Sequence, residues 1–243
     1  MMTSEKAIFS HEGYCPICER NVEFRANHTW FRDHLICSGC GSIPRERALF
    51  KVIAEHFPNY RDLKIHESSP GGRGASIKLH RECAGYSASQ FYPKIERGNI
   101  NRTSGYRCED LEHLTFENET FDLFITQDVL EHIFHPEKAF IEIGRVLKSG
   151  GAHIFTTPLV NKAKKSERWA SLSDKQEIIY HHEPEYHGNP VDPNGALVTM
   201  HWGYDIATLI TKEAHMPTTI IEIDNINLGI RAEYIEVLAS WKL

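Results

Sequence analysis

Residues 121–158 read FDLFITQDVLEHIFHPEKAFIEIGRVLKSGGAHIFTTP, and the order of signals in this stretch decides the fold. Residues 121–126 are a short β-rich run suited to a strand buried on both faces. Pro136 suits the first turn of a helix, where its missing N–H costs nothing. Ala139, Phe140, Ile143, Val146 and Leu147 then recur at helical spacing and mark one buried face. Ser149-Gly150-Gly151 supplies a helix stop, and residues 153–157 a second strand. A strand, helix and strand of this length close as a right-handed parallel crossover. Ligands of open α/β sheets bind beyond the carboxyl ends of the strands. Gln127, Asp128, Glu131 and His132 are therefore expected at the mouth of a site, with Asp128 and Glu131 orienting a base or capping a helix start.

Working outward, Pro44-Arg45-Glu46-Arg47 opens a helix carrying Leu49, Phe50, Ile53 and Phe57 on one face. Residues 63–67 form a first strand, followed by the small-residue loop Ser68-Ser69-Pro70-Gly71-Gly72-Arg73-Gly74 and a helix ending near Cys83. Small residues let a ligand approach the backbone, and the N–H groups at the helix start favour polar or anionic groups, so this loop is the expected cofactor cradle. Residues 85–88 are a second strand and 105–108 a third. Beyond the opening stretch, residues 158–203 form a long polar insertion with Trp169, Tyr180, Tyr186 and Trp202. A segment of that length and aromatic content is expected to be functional. Residues 205–214 are a helix, and 218–223 and 233–240 are terminal strands.

Ahead of this domain stand Cys15-x-x-Cys18 and, eighteen residues later, Cys37-x-x-Cys40. That spacing predicts a tetrahedral zinc site on two tight knuckles. Four thiolates leave no open position, so the predicted zinc is structural rather than catalytic. The domain division is then a tail and zinc ribbon over residues 1–43 and an α/β domain over 44–243. Cys83 and Cys108 read as buried free thiols.

The bulk properties narrow the function classes. Twenty-seven basic and 33 acidic residues give a formal net charge of −6, which argues against a nucleic-acid partner. No run approaches the ~18 apolar residues of a membrane span. The first thirteen residues lack the apolar core of a signal peptide, so a cytoplasmic location is expected.

Several motifs occur in a recognisable order. They are Glu67-x-x-x-Gly71, Glu109-Asp110-Leu111 with Leu114-Thr115-Phe116, Phe121-Asp122-Leu123 through Glu131-His132-Ile133, and Arg145-Val146-Leu147-Lys148-x-Gly150-Gly151. The chain thereby resembles the class I S-adenosylmethionine-dependent methyltransferases, of the type 11-like kind, over residues 60–160 and more loosely over the terminal strands. The resemblance implies a Rossmann-like, doubly wound, seven-stranded sheet with an antiparallel last strand. It implies Glu67, Thr126 and Gln127 near the methionine moiety, Ser69, Gly71 and Gly72 passing the cofactor, Asp110 on the adenine amino group and Leu111 on its ring. Two departures stand out. The loop is Ser-Ser-Pro-Gly-Gly rather than Gly-x-Gly-x-Gly, and the second strand ends in Ser87-Ala88-Ser89-Gln90 without an acid. Ser89 or Gln90 is then left to bind the ribose hydroxyls. The ribbon and the run Tyr186-His187-Gly188-Asn189-Pro190 resemble a bacterial subgroup associated with sugar or small-molecule modification.

These features predict methyl transfer to a small-molecule or sugar acceptor, at oxygen. His132 is the first candidate base and His187 the second, ahead of His181, His182 and His201. Tyr186, Asn189, His201 and Trp202 are expected to contact the acceptor, with the insertion as its lid. Two other readings compete. One is an RNA or protein methyltransferase docking through Arg20, Arg25, Arg32, Arg45 and Arg47. The other is a non-catalytic scaffold with a degenerate cofactor loop.

Overall fold

The computed structural model describes residues 7–189 and 191–243. Residues 1–6 of the tail and Pro190 of the 186–190 run lie outside the described residues. The chain begins with a three-stranded antiparallel sheet of β1 (Phe9–Cys15), β2 (Arg20–Ala26) and β3 (Ile36–Cys37), with the single turn α1 (Phe31–His34) between β2 and β3. Its buried face, Phe24 and Leu35, is continuous with Leu49 and Ile53 of α2 (Pro44–His56). One core therefore runs across residue 43. Gly229 permits a close approach, since a Cβ there would stand 2.5 Å from the Phe24 ring.

Next come β4 (Ile65–Ser68), α3 (Gly74–Glu82), β5 (Tyr86–Gln90), β6 (Arg107–Cys108), β7 (Phe121–Gln127), α4 (Pro136–Val146) and β8 (Leu147–Thr156). The insertion adds β9 (Glu167–Arg168), β10 (Ala170–Leu172), β11 (Ile178–Tyr180), β12 (Tyr186–His187), β13 (Ala196–Leu197) and β14 (Met200–His201). The chain finishes with α5 (Ile206–Ala214), β15 (Thr218–Ile221) and β16 (Val237–Trp241). The main sheet has seven strands in the order β15-β16-β8-β7-β4-β5-β6. Strands β4 to β8 in this sheet pair in parallel, whereas β16 is antiparallel to both β15 and β8. The α/β architecture and the antiparallel last strand agree with expectation. Apolar side chains of α2 and α3 cover one face of the sheet, and those of α4 and α5 cover the other.

The opening stretch differs from its reading at one point. Helix α4 ends at Val146, and the backbone is already extended at Leu147. Gly150 and Gly151 therefore lie inside β8, beside a register shift against β7, rather than forming the helix stop. A Cβ on Gly151 would meet the Asp122 carbonyl oxygen at 2.8 Å, so glycine serves strand approach here. The insertion is not one open loop either. Its short strands form three two-stranded ribbons, β10–β11, β12–β13 and β14–β9.

Candidate active site

The central strands run parallel, so β4, β5 and β7 deliver their carboxyl ends to one edge, where a cleft of about 1440 Å³ opens. Both β4 and β7 turn sharply on leaving the sheet. Ser69 and Asp128 sit at φ of +56° and +52°, a left-handed conformation that non-glycine residues rarely adopt. Such local strain at a cleft is characteristic of functional sites.

The cradle half of the cleft is lined by Ser68, Ser69 and Gly71 from the β4 loop and by Gln90 and Phe91 after β5. Asp110 and Leu111 follow β6 there, and Gln127 ends β7. Of the residues expected at the cofactor, the cleft thus brings together Ser69, Gly71, Gln90, Asp110, Leu111 and Gln127. Gly72 does not line this cleft; it opens onto a separate groove beside Cys18, Arg20 and Gly39.

Three cofactor expectations meet a different environment. Glu67 is fully buried, accepting hydrogen bonds from Ser76 (2.7 Å), Tyr86 (2.6 Å) and Gln127 (2.7 Å). Burial raises its pKa, against the lowering effect of those donors. Its carboxyl braces the cradle from below, and Gln127 spans from it to the cleft. Ser89 is also buried and holds His66 Nε2 at 2.9 Å, while Ser87 holds Nδ1 at 2.9 Å. The serines of the second strand thus satisfy a buried histidine, whose pKa burial pushes down to about 3. Thr126 likewise turns inward, to His153 Nε2 at 3.0 Å. Depth along the strand explains all three, because each stands one residue short of its strand end, inside the sheet, whereas Ser68, Gln90 and Gln127 at the ends reach the cleft.

Across the cleft stand Glu131 and His132, on the turn after β7, and His187 on β12. The His132 and His187 rings meet edge to face with centroids 5.0 Å apart. His132 Nδ1–H donates to the Leu197 carbonyl at 2.9 Å, and His187 Nε2–H to Glu185 at 3.2 Å. Glu185 also accepts from His201 Nε2 at 2.9 Å. The Glu131 carboxylate is the main influence raising the His187 pKa above the ordinary imidazole value; burial opposes it and Glu185 adds to it.

Of the residues expected to contact the acceptor, Asn189 and His201 line this half. Trp202 does not. It is fully buried against Phe140 in the core beneath the insertion, so its aromatic bulk serves packing. Tyr186 projects outward beside Tyr180 and does not line the cleft. His181 and His182 engage Ser171 and Glu167 in the same outer part of the insertion.

The turn α1 beside the N-terminal sheet also contributes to the cleft, which the sequence did not reveal. Trp30, Arg32 and Asp33 form part of its wall, together with Arg45 at the start of α2. Arg32 and Arg45 both reach Asp128, at 2.7 and 2.9 Å. Arg47 is fully buried, donating to the carbonyls of Leu35, Ser42 and Gly229, with its guanidinium over the Phe24 ring. These three arginines are engaged within the fold instead of forming a free basic face. The signal was present as Trp30 to Arg47 in sequence, but only the fold brings it beside Asp128.

Cys15, Cys18, Cys37 and Cys40 place their sulfurs within 4.8 Å of one another. Cys15 Sγ lies 3.9 Å from Cys40 Sγ, and Cys18 Sγ 3.6 Å from Cys37 Sγ. Backbone N–H groups of Cys18 and Gly39 point at the sulfurs of Cys15 and Cys37, at 3.4 Å each. Cys83 and Cys108 are buried free thiols, apart from this group. Among the described residues, no helix is long and apolar enough to cross a membrane.

Residues 77–155 match the family described as a methyltransferase domain. The sarcosine/dimethylglycine N-methyltransferase of Aphanothece halophytica is 44% identical over 48 residues, covering 20% of this chain and 17% of that protein. The ubiquinone biosynthesis O-methyltransferase of Parvibaculum lavamentivorans is 26% identical over 132 residues, 52% of this chain and 51% of its own length. The chain thus spans about half or less of these curated relatives. The solved structure of an S-adenosylmethionine-dependent methyltransferase from Mesorhizobium loti overlays with a TM-score of 0.51 at 15% identity, covering 79% of this chain and 96% of that one. At that identity the likeness speaks for the fold. Residues 77–155 are thus similar to a methyltransferase domain, and the chain shares the α/β fold of that solved S-adenosylmethionine-dependent methyltransferase.

Proposed function

We propose that this protein is a class I methyltransferase that moves a methyl group from S-adenosylmethionine to an oxygen of a small-molecule or sugar-precursor acceptor. One observation carries the reading. A single cleft joins the β4–β5–β6 cradle to a group of ionisable side chains, and its about 1440 Å³ exceeds what one drug-sized ligand fills. Ser69, Gly71, Gln90, Asp110 and Leu111 are the residues that would hold the donor. Bound there, the donor supplies a methyl group on a sulfonium sulfur that leaves as a neutral thioether, so no acid is required. What the chain must add is alignment of the acceptor and removal of its proton.

His132 suits the second task. With Nδ1–H committed to Leu197, its Nε2 keeps a lone pair on the acceptor side. Glu185, Asn189 and His201 offer hydroxyl-binding groups over the apolar Val198 and Met200. The O- and N-methyltransferase relatives carry small-molecule names, which supports an acceptor of that class.

We also read the four cysteines as a structural zinc site. A tetrahedral ion with ~2.3 Å zinc–sulfur bonds separates its sulfurs by ~3.8 Å, matching the 3.6 and 3.9 Å found.

Calorimetric titration with S-adenosylmethionine, followed by a screen of nucleotide sugars and hydroxylated metabolites for S-adenosylhomocysteine release, tests the function. Donor binding is expected, with turnover on a hydroxylated acceptor. His132→Ala should lower kcat by ~10²–10⁴-fold with donor affinity retained. Absence of donor binding to zinc-loaded protein would favour the scaffold reading, and turnover only on RNA or protein would overturn the acceptor class.

A further inference from the structure

Glu131, His132 and His187 present more than a base. Glu131 is 2% exposed, yet its Oε1 has no hydrogen-bond partner among the described residues. His132 Nε2 and His187 Nδ1 each lie 3.8 Å from that oxygen, too far for a hydrogen bond. We propose that these three atoms bind a divalent transition-metal ion whose remaining positions open to the cleft and take the acceptor's oxygen. The site stands on its own geometry; the role of the ion in catalysis rests on the methyl-transfer reading.

The outward-facing atoms of the group are already occupied. Glu131 Oε2 accepts the Thr157 hydroxyl at 2.9 Å. His132 Nδ1–H is given to Leu197 and His187 Nε2–H to the Glu185 carboxylate. In a neutral imidazole, a donor at one nitrogen leaves a lone pair at the other. With both rings neutral, two ring lone pairs and a carboxylate oxygen face one another, and the ion takes the place that a proton on His187 Nδ1 would otherwise hold. A buried acceptor left this way costs about 1–3 kcal/mol, and a cation at the centre removes the penalty. Backbone carbonyl and carboxylate partners on the far nitrogens are the arrangement that orients metal-bound histidines.

The spacing also fits. Ligand atoms about 2.0–2.1 Å from an ion at angles near 90–110° lie ~3.0–3.4 Å apart, so each 3.8 Å gap needs only a slight side-chain rotation. Two imidazoles and one carboxylate suit zinc, iron(II) or cobalt better than magnesium or calcium. Three protein ligands leave open positions, and all three residues line the cleft. With His132 Nε2 on the ion that imidazole no longer serves as the free base, and an acceptor hydroxyl bound to the ion instead loses its proton to water more readily. Its oxygen lone pair then forms the bond to the methyl carbon, while the carbon–sulfur pair stays on sulfur. His187 comes from the insertion, so the ion also ties that segment to the turn after β7.

The test uses the full chain with its cysteines zinc-loaded. Cobalt(II) is titrated in and followed by absorption, with total metal measured in parallel. The wild type should take one cobalt ion beyond the zinc, with ligand-field bands but no thiolate charge-transfer band. Glu131→Gln and His187→Ala should each weaken cobalt binding at least ~10-fold. Their zinc content and their S-adenosylmethionine affinity should stay unchanged, which separates ligand loss from misfolding. No cobalt uptake beyond the cysteine site, or equal uptake by both variants, overturns the proposal. Cobalt uptake without donor binding would sink the methyl-transfer reading and leave the metal site standing. Donor binding with full turnover in the presence of a chelator would sink the role of the ion instead.

Discussion

The cysteine tetrad and the Glu131–His132–His187 group both gather metal-type ligands, but the chain builds them in opposite ways. The turn between β1 and β2 and the turn after β3 of one small sheet supply the cysteines, and four sulfurs would close the shell of the proposed zinc. The second group joins a turn after β7 to a strand of the insertion, and its open side is the cleft. Under the two proposals, a closed shell beside Phe24 and Arg47 would serve stability, and an open one beside the cradle would serve chemistry. The two should therefore respond to different measurements.

The largest expected effect tests the closed site. A structural zinc contributes about 10–16 kcal/mol in small finger peptides. Here the ribbon also leans on α2, so losing about half of that is expected. Cys37→Ser, or chelation of the wild type, should lower Tm by ~10–30 °C, at ~2–4 °C per kcal/mol for a chain of this size. Glu131→Gln should leave Tm within ~4 °C, because it removes an unpaired buried charge. A chelated protein that melts like the untreated one would break the comparison.

Arg47 sharpens it, with a smaller effect. Its guanidinium satisfies the carbonyls of Leu35, Ser42 and Gly229 in the seam between ribbon and domain. Burial brings its pKa down to about 10, although the thiols of Cys15, Cys37 and Cys40 favour its charge. A dianionic zinc tetrathiolate would favour that charge further. Arg47→Ala strands those carbonyls and should cost about 3–4 kcal/mol, or roughly 10 °C in Tm. Arg47→Lys should recover only part, since an ammonium cannot reproduce the planar fork. Full recovery by lysine would mean that charge alone, and not the three-carbonyl geometry, holds the ribbon down.

The contrast in assembly also explains what was legible beforehand. Residues 121–158 announced a parallel crossover because hydrophobic period is local. The cysteine spacing announced a tetrad because both knuckles are local too. Asp110, Leu111 and Gln127 could be placed because they follow strand ends in a fixed order. Ser89, Thr126 and Glu67 could not, since one step along a strand decides whether a side chain meets the cleft or the core, and His66 and His153 were the hidden partners that claimed two of them. Trp202 looked like a stacking platform because its loop context resembled the rest of the insertion; its contact with Phe140 comes only from the tertiary fold. The pairing of Arg32 and Arg45 with Asp128 was invisible for the same reason.

Asp128 is the joint between the two regions, and the last prediction tests it. Burial disfavours its charge, but Arg45 and then Arg32 prevail and hold its pKa below the usual aspartate value. A carboxylate depressed in the folded state adds stability that is present above its unfolded pKa of about 3.9 and is lost as pH falls through the lower folded value. Asp128's share of the hold between ribbon and cleft should therefore be lost only below pH ~4. Asp128→Asn mimics that state at neutral pH without adding backbone strain, because asparagine tolerates the φ of +52° as well as aspartate does. The loss should be modest, about 1–3 kcal/mol. Arg32 keeps the Tyr234 carbonyl at 3.0 Å, and Arg45 keeps Asp33 at 2.8 Å. Urea unfolding at pH 7 and pH 3 is the measurement: the variant should be weaker at pH 7 and less sensitive to acid. S-adenosylmethionine affinity should fall a few-fold, since Arg45 lines the same cleft as Ser68 and Gly71. Wild-type stability with an unchanged acid limb would show that ribbon and cleft are joined by apolar packing alone, with Asp128 serving only the turn after β7.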